Sequence, residues 1–168
     1  MTKTMNNGTE NLINLDELSG KLDLILEEYE QCHGIKFPQR NIENYLKLTR
    51  DEISKLDYDS CLEIAYELSC QSIYIQSVYN KENGRVKWAN AMISSYCCTD
   101  WKNYTQFFKD EMKIAAISKE NSAVNKLLKI RNNAEQRKER LQGISNNLKY
   151  LSSIFIESSK SKRYAQHQ

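Results

Sequence analysis

Apolar and aromatic residues return at alternating steps of four and three between positions 61 and 96, and this repeat limits the fold more than any other feature of the chain. Nine of the eleven positions are apolar or aromatic, the exceptions being Ser72 and Glu82. The eleven positions are Cys61, Ala65, Leu68, Ser72, Ile75, Tyr79, Glu82, Val86, Ala89, Ile93 and Tyr96. A 3.5-residue repeat over about five heptads is typical of a helix that packs along a coiled-coil seam. It predicts one long helix over about residues 59–98.

A second repeat of the same kind predicts another long helix, from about Glu111 to Lys160. Only Arg137 is charged among its ten seam positions. The ten positions are Ala123, Leu127, Ile130, Ala134, Arg137, Leu141, Ile144, Leu148, Leu151 and Phe155. The two helices therefore carry matching apolar stripes, and the segment between them is short.

The two stripes predict how the helices pair. Because neither helix can bury its stripe alone, residues 60–97 and 112–158 are expected to form an antiparallel hairpin. A fold about residues 109–110 places Glu82 opposite Arg137. A buried charge pair at this position would set the register of the hairpin more than its stability.

The scarcity of turn-forming residues supports an all-α fold. The 168-residue chain contains 5 Gly and 1 Pro, whereas sandwiches, barrels and βαβ folds need turn residues about every ten positions. The length suits a single domain. There is no run of 18 apolar residues, and the start of the chain lacks the apolar stretch of a secretory signal. We therefore expect a cytoplasmic protein that does not associate with a membrane.

Four segments are expected along the chain. Residues 1–13 are polar and without periodicity, and should form a disordered tail. Residues 14–57 are predicted to form an acidic N-terminal helical cap, with a capping box at residues 49–52. Its first helix has an apolar face made of Leu15, Leu18, Leu22, Ile25 and Tyr29. The long hairpin occupies residues 58–160, and residues 161–168 are predicted to be a frayed basic and polar tail.

The charge of the chain is divided between its two halves. Residues 1–80 carry 7 Lys and Arg against 14 Asp and Glu, a net charge of −7, whereas residues 81–168 carry 17 against 8, a net charge of +9. This asymmetry favours either a polyanion bound by the second half or head-to-tail pairing between subunits. The sequence leaves both alternatives open.

Basic residues on both long helices form the candidate nucleic-acid site. Several follow one flank of the second helix, and an antiparallel hairpin would bring those of the first helix close to them. The candidate residues are Lys81, Arg85, Lys87, Lys126, Lys129, Arg137 and Arg140. No helix-turn-helix or zinc finger is present to read base edges, so binding to single-stranded DNA or RNA would be without base specificity. The alternative is that these side chains form the solvated exterior of a coiled coil.

No motif in the sequence indicates catalysis. A Gly-rich phosphate loop, Gly-x-Ser-x-Gly and His-Glu-x-x-His are all missing, so no enzymatic activity is expected. The five cysteines have no Cys-x-x-Cys spacing, and the only imidazoles are His33 and His167. Neither a metal site nor any other cofactor is therefore predicted.

Four aromatic residues lie in the segment between the two long helices, namely Trp101, Tyr104, Phe107 and Phe108. With nearby lysines they could form a stacking platform for unpaired bases. The alternative is that they cap the end of the hairpin or pack against a neighbouring subunit, because aromatic side chains favour burial.

The two helices resemble those of UvsY-type recombination mediators of tailed bacteriophages. The resemblance lies in the segments LEIAYELSCQSIYIQSVYNKENGRVKWANAMISSY and RLQGISNNLKYLSSIFIESSKSKRYAQ, and covers about the last two-thirds of the chain. It implies an α-helical homo-oligomeric ring that binds single-stranded DNA and loads a recombinase onto strands covered by a single-strand-binding protein, in the host cytoplasm. Basic residues of the family would fall near Lys81, Arg85 and Lys87. This chain differs in having fewer basic residues there and an acidic addition over residues 10–67.

The sequence thus predicts a non-enzymatic, self-associating accessory protein that binds single-stranded nucleic acid. The alternative is a structural or adaptor protein, such as a virion or scaffold component, without nucleic-acid binding. Self-association is expected because two helices cannot cover all the apolar side chains outside the seam. These are Leu62, Ile64, Ile73, Tyr74, Trp88 and Met92.

Overall fold

Two long helices, Tyr58–Cys97 and Ser122–Gln166, pack against each other along most of their length in the computed structural model. The structure describes residues 15–32, 37–98, 100–104 and 109–166. Its helices are α1 (Leu15–Cys32), α2 (Glu43–Leu46), α3 (Arg50–Lys55), α4 (Tyr58–Cys97), α5 (Asp110–Glu120) and α6 (Ser122–Gln166), with one 3₁₀ turn at Trp101–Asn103. All regular elements in these ranges are helical, so the predicted all-α fold is confirmed. The predicted disordered tail, residues 1–13, lies outside the described residues.

Serine hydroxyl groups fix the register of α4 against α6. The Oγ atoms of Ser72 and Ser145 are 3.0 Å apart, and those of Ser69 and Ser152 are 2.9 Å apart. The Ser152 hydroxyl also donates to the carbonyl oxygen of Ala65, at 2.9 Å. Decreasing residue numbers on α4 therefore face increasing residue numbers on α6. The predicted antiparallel hairpin is confirmed.

The seam predicted on α4 is the one that α4 buries. Eight of the predicted seam residues are buried, among them Leu68 and Ala89 at 1% and 0% exposure. Ile75 and Tyr79 are partly buried. At the C-terminal end the buried residue is Cys97 rather than the predicted Tyr96. The heptad interpretation of α4 therefore holds along almost the whole helix.

The seam of α6 differs from the prediction at several positions. The predicted residues Leu127, Ala134, Leu148 and Phe155 are buried, but at other positions the buried residue is the next one along the chain, as with Val124 in place of Ala123. The seam contains Ser145, Ser152 and Ser159, at 1%, 3% and 1% exposure, whereas the predicted Ile144 is 47% exposed. Small side chains let the two helices approach closely, and the hydroxyl groups of Ser145 and Ser152 find oxygen acceptors on α4.

The second long helix is interrupted at Asn121, where the prediction has one continuous helix over residues 111–160. The Asn121 side-chain oxygen accepts hydrogen bonds from the backbone N–H groups of Ala123 and Val124, at 3.0 and 3.2 Å. This caps the start of α6 and leaves α5 as a separate helix. The register places the start of α6 level with Cys97, so residues 112–120 do not continue the seam of α6 along α4. Instead, Ile117 of α5 packs into one core with Ile93 and Cys97 at the end of α4.

The C-terminal end of α6 continues beyond residue 160 and is anchored. The Lys162 ammonium group donates to the carbonyl oxygens of Ile53 and Ser54, both at 3.0 Å, and also to that of Leu56. These carbonyls lie at the C-terminal end of α3, where helix carbonyls lack internal partners and attract a cation. α6 therefore holds α3 against the hairpin, and regular helix reaches Gln166 inside the segment predicted to fray.

The N-terminal helices lie at two separate places along the hairpin. The residues before α4 pack at its free end, where Ile42 joins the core around Leu68 and Phe155. The capping box predicted at residues 49–52 is confirmed, because Thr49 and Glu52 exchange hydrogen bonds. By contrast, α1 lies against α4 farther along the hairpin.

Two apolar residues in these regions differ from expectation. Ile25, predicted on the inward face of α1, is 61% exposed, because α1 is rotated to place Leu26 against Gly84 of α4. Ile64, predicted to be left uncovered by the hairpin, is only 6% exposed because the N-terminal segments bury it in the core around Leu68. Leu62 and Ile73, at 37% and 45% exposure, do remain uncovered.

Candidate nucleic-acid interface

The seven candidate basic residues all lie in one half of the hairpin. We call this the connection half, residues 79–97 of α4 with residues 122–140 of α6, which the register places level with each other. At a rise of 1.5 Å per residue, the candidate residues span about 20 Å along the axis. The remainder, residues 58–76 of α4 with residues 143–166 of α6, is called the terminal half. Basic residues from both helices therefore lie at the same positions along the hairpin axis, as predicted.

The connection half is strongly basic on both helices. Residues 81–87 and 126–140 together contain nine basic residues and three acidic ones, a formal net charge of +6. On α4, Lys81 and Arg85 share a side because they are four residues apart, whereas Lys87 is two residues on and points to another side. Arg137 and Arg140 share a side of α6 in the same way.

Glu82 is the negative centre of this region. Its side chain is only 6% exposed, and one carboxylate oxygen lies 3.0 Å from a terminal nitrogen of Arg137, as an ion pair without hydrogen-bond alignment. The other oxygen pairs with Arg85. The predicted pairing of Glu82 with Arg137 is therefore confirmed. The Arg137 side chain remains 52% exposed, so this arginine spans the seam and the surface.

Arg85 extends this network to α1. Its Nε and Nη2 atoms lie 2.9 and 2.8 Å from one carboxylate oxygen of Asp23. Asp23, Arg85, Glu82 and Arg137 thus form a chain of alternating charges that links α1, α4 and α6. Paired charges attract a phosphate less than solvated ones do, so Arg85 and Arg137 are less available to nucleic acid in this arrangement than an exposed residue such as Lys129.

The other candidate residues differ in exposure. Lys87, Lys129 and Arg140 are exposed and make no ion pair with any residue that the structure describes. Lys126 is exposed and Lys81 is partly buried. The exposed members therefore lie on more than one side of the hairpin, with those of α6 forming the longer row.

The aromatic residues of the connecting segment close the end of the hairpin. Trp101 and Tyr104 pack against the core that contains Ile93, Ile117 and other residues of the connection half. The ammonium group of Lys113, which is almost buried, lies 5.2 Å from the centre of the Trp101 ring. This packing is what the hairpin-cap interpretation predicts for Trp101 and Tyr104, whereas Phe107 and Phe108 lie outside the described residues.

Within the described residues, the cysteines and carboxylates gather into no metal-binding group. Cys61, Cys70, Cys97 and Cys98 are free thiols, and burial, followed by the Asp100 charge, raises the pKa of Cys97. A thiol with a raised pKa is a poor nucleophile at neutral pH. Across the described ranges, His, Cys, Asp and Glu side chains never gather in a group of three that could hold a metal ion.

The sequence prediction does not include the salt bridge from Asp23 of α1 to Arg85. The acidity of α1 is visible in the sequence, with six acidic residues and one lysine, but the sequence does not indicate which basic residue it meets. None of the described helices is long and apolar enough to cross a membrane. No family model matches the chain, and no curated protein or solved structure is significantly similar to it.

Proposed function

We propose that this protein is a non-enzymatic accessory protein that binds single-stranded nucleic acid through the connection half of its hairpin. The observation that carries the proposal is the meeting of two basic segments, one from each long helix, with a combined formal charge of +6. A basic surface about 20 Å long matches several successive phosphates of a single strand.

The binding would be electrostatic and independent of sequence. Lys126, Lys129 and Arg140 follow one flank of α6 at helical spacing and are exposed along it. Lysine ammonium groups on flexible stems act as point charges and contact phosphates without fixed geometry. Lys87 would add a contact from α4, and Arg85 would contribute once Asp23 is displaced, whereas Arg137 stays paired with Glu82.

The role of a recombination mediator is the more specific form of this proposal. It rests on the resemblance to UvsY-type proteins, which implies self-association, a recombinase partner and a single-strand-binding protein. Self-association has physical support in the terminal half, where Leu62, Tyr66 and Ile73 of α4 are 37%, 62% and 45% exposed. Helical spacing places all three on the side of α4 that carries Ser69, away from the N-terminal segments.

A structural or adaptor role is the second candidate, and the same exposed apolar residues favour it. Ile156, 37% exposed, lies four residues beyond Ser152 and so extends this surface onto α6. An adaptor would use such a surface for partner proteins and would have no need of the basic half. Nucleic-acid binding therefore distinguishes the two candidates.

The test is binding of a fluorescent single-stranded oligonucleotide, followed by anisotropy between ~50 and ~300 mM salt. With about 4–6 phosphates neutralised, a plot of log affinity against log salt should have a slope of about −3 to −4. Replacing Lys126 and Lys129 together with alanine should flatten the slope by about 1.4. Both side chains are exposed, so the fold should tolerate the change.

The matched control removes two positive charges elsewhere. Lys55 in α3 and Lys149 in α6 are exposed and lie in or beside the terminal half. The Lys55→Ala, Lys149→Ala variant should retain nearly the wild-type slope. An absence of binding at ~50 mM salt would reject the nucleic-acid proposal and leave the adaptor role.

A further inference from the structure

The acidic helix α1 lies against the basic side of α4. Its six acidic residues and single lysine give it a formal net charge of −5, and it docks beside segments whose net charge is +6. Among the described residues, a salt bridge joins Asp23 to Arg85, which is one of the candidate phosphate-binding residues. A carboxylate of α1 thus pairs with a guanidinium group that could otherwise bind a phosphate oxygen.

The docking of α1 combines apolar contacts with charge pairs. Among its described side chains, Leu18, Leu22 and Leu26 are half-buried, with Leu18 at the margin of the core in the connection half and Leu26 against α4. By contrast, Leu24 and Ile25 are 67% and 61% exposed. The charge pairs are the part of this docking that weakens with salt or with a competing anion.

We propose that α1 is an autoinhibitory helix that covers part of the nucleic-acid surface and is displaced when a polyanion binds. Displacement transfers Arg85 from Asp23 to a phosphate and leaves Glu82 paired with Arg137. The acidic face of α1 and the nucleic acid compete for one basic surface. This inference rests on the proposed function, because it assigns a competitor to the same site.

Gly84 allows α1 to be displaced without altering a charge. A Cβ atom at this position would lie 3.2 Å from Cδ2 of Leu26, so the side chain of a Gly84→Leu variant needs the space that α1 fills. Gly143 of α6 is the matched control, because a Cβ atom there would have no neighbour within 4 Å. Both substitutions replace a helical glycine by leucine and gain similar helix propensity.

The experiment measures two quantities on the full chain. Hydrogen exchange of the α1 amides reports docking without reference to nucleic acid, and oligonucleotide anisotropy reports affinity. For Gly84→Leu we expect faster exchange in α1, an affinity about 5- to 20-fold higher than wild type, and a salt slope steeper by about 0.7 for the one added contact. Gly143→Leu should match wild type in both, and the oligonucleotide should speed α1 exchange in wild type.

A second pair of variants keeps the test decisive if leucine at position 84 fits without displacing α1. Asp23→Arg reverses the charge that faces Arg85, whereas Glu17→Arg makes the same change on the same helix at a residue that faces Lys21. Tighter binding by Asp23→Arg than by Glu17→Arg supports the competition. Equal affinities of these two variants, or wild-type affinity in a Gly84→Leu protein whose α1 exchanges fast, overturn it.

Failure of the proposed function has a different signature. If Gly84→Leu speeds exchange in α1 and neither this variant nor wild type binds the oligonucleotide at ~50 mM salt, nucleic-acid binding is rejected, and the competition with it. If wild type binds and the oligonucleotide slows exchange in α1, binding stands and the autoinhibitory role of α1 is rejected.

Discussion

The two halves of the hairpin are held together by different chemistry. In the terminal half, the seam between α4 and α6 is made of apolar side chains and serine hydroxyls, with Leu68, Ser145 and Ser152 almost fully buried. In the connection half, the seam contains the buried Glu82, and Arg131 and Lys138 are partly buried beside it. Both halves bury apolar side chains, and the difference among the described residues is that the connection half also keeps charges in its interface.

This difference separates structural from functional roles. Neutral hydroxyls that meet carbonyls across a close seam leave no charge unpaired and need no ligand. A buried carboxylate held by two arginines, here 25% and 52% exposed, keeps one neutralising partner when the other arginine turns outward. Under the proposed function, the connection half would exchange partners while the terminal half and its N-terminal segments serve as the support.

The largest expected effect concerns the register of α6. Ser145→Leu places a large side chain opposite Ser72, where both residues are 1% exposed, and should lower the free energy of unfolding by about 2–3 kcal/mol through overpacking. Ile144→Ser should cost less than about 1 kcal/mol, because Ile144 is 47% exposed. Urea unfolding followed by circular dichroism measures both, and the opposite ranking would restore the register predicted from sequence.

This shift of register marks the limit of sequence reasoning on the fold. Counting apolar residues selects Ile144 over Ser145, since isoleucine is the more hydrophobic of the two. Packing selects Ser145, because the close approach of two backbones favours the smaller side chain with a nearby acceptor. The seam of α4 was predictable because neither neighbouring register holds as many apolar residues. The break at Asn121 also had a sequence signal, since asparagine is a preferred residue before a helix.

The candidate site was predictable only in part. The heptad repeats predict which residues of an antiparallel hairpin lie opposite each other. The placement of Glu82 opposite Arg137 could therefore be derived from the sequence. The contact between Asp23 and Arg85 could not, because it depends on how α1 crosses α4 at Gly84. Tertiary placement of a separate helix is not encoded in the periodicity of either partner.

A smaller effect is expected when the buried charge of the connection half is neutralised. Glu82→Gln leaves Arg85 and Arg137 without their shared carboxylate and should cost about 1–2 kcal/mol at ~50 mM salt, since both arginines are partly solvated. The loss should shrink as salt rises, because wild type loses part of its attraction. Urea unfolding at two salt concentrations measures it.

The terminal half supplies the control for this charge. Glu157 pairs with Lys160 at 2.7 Å, and both side chains are more than half exposed. Glu157→Gln should change the free energy of unfolding by less than about 0.5 kcal/mol at either salt concentration. Equal effects of the two glutamate variants would erase the distinction between a half that depends on charge and a half that does not.

The smallest effect lies at the start of α4 and concerns pH. The Asp57 carboxylate accepts hydrogen bonds from Ser60, including its backbone N–H at 2.7 Å, and these hold the pKa of Asp57 below its usual value. A carboxyl whose pKa is lower in the folded state stabilises the fold above its unfolded pKa of about 4, and this contribution is lost as pH falls through the folded value. Asparagine caps a helix as well as aspartate but does not titrate.

The Tm of Asp57→Asn should therefore lie close to that of wild type at pH 7 and fall less than that of wild type between pH 5 and about pH 2. Parallel thermal melts would follow this, and identical falls in Tm would show that the Asp57 cap contributes nothing to the acid sensitivity of the terminal half.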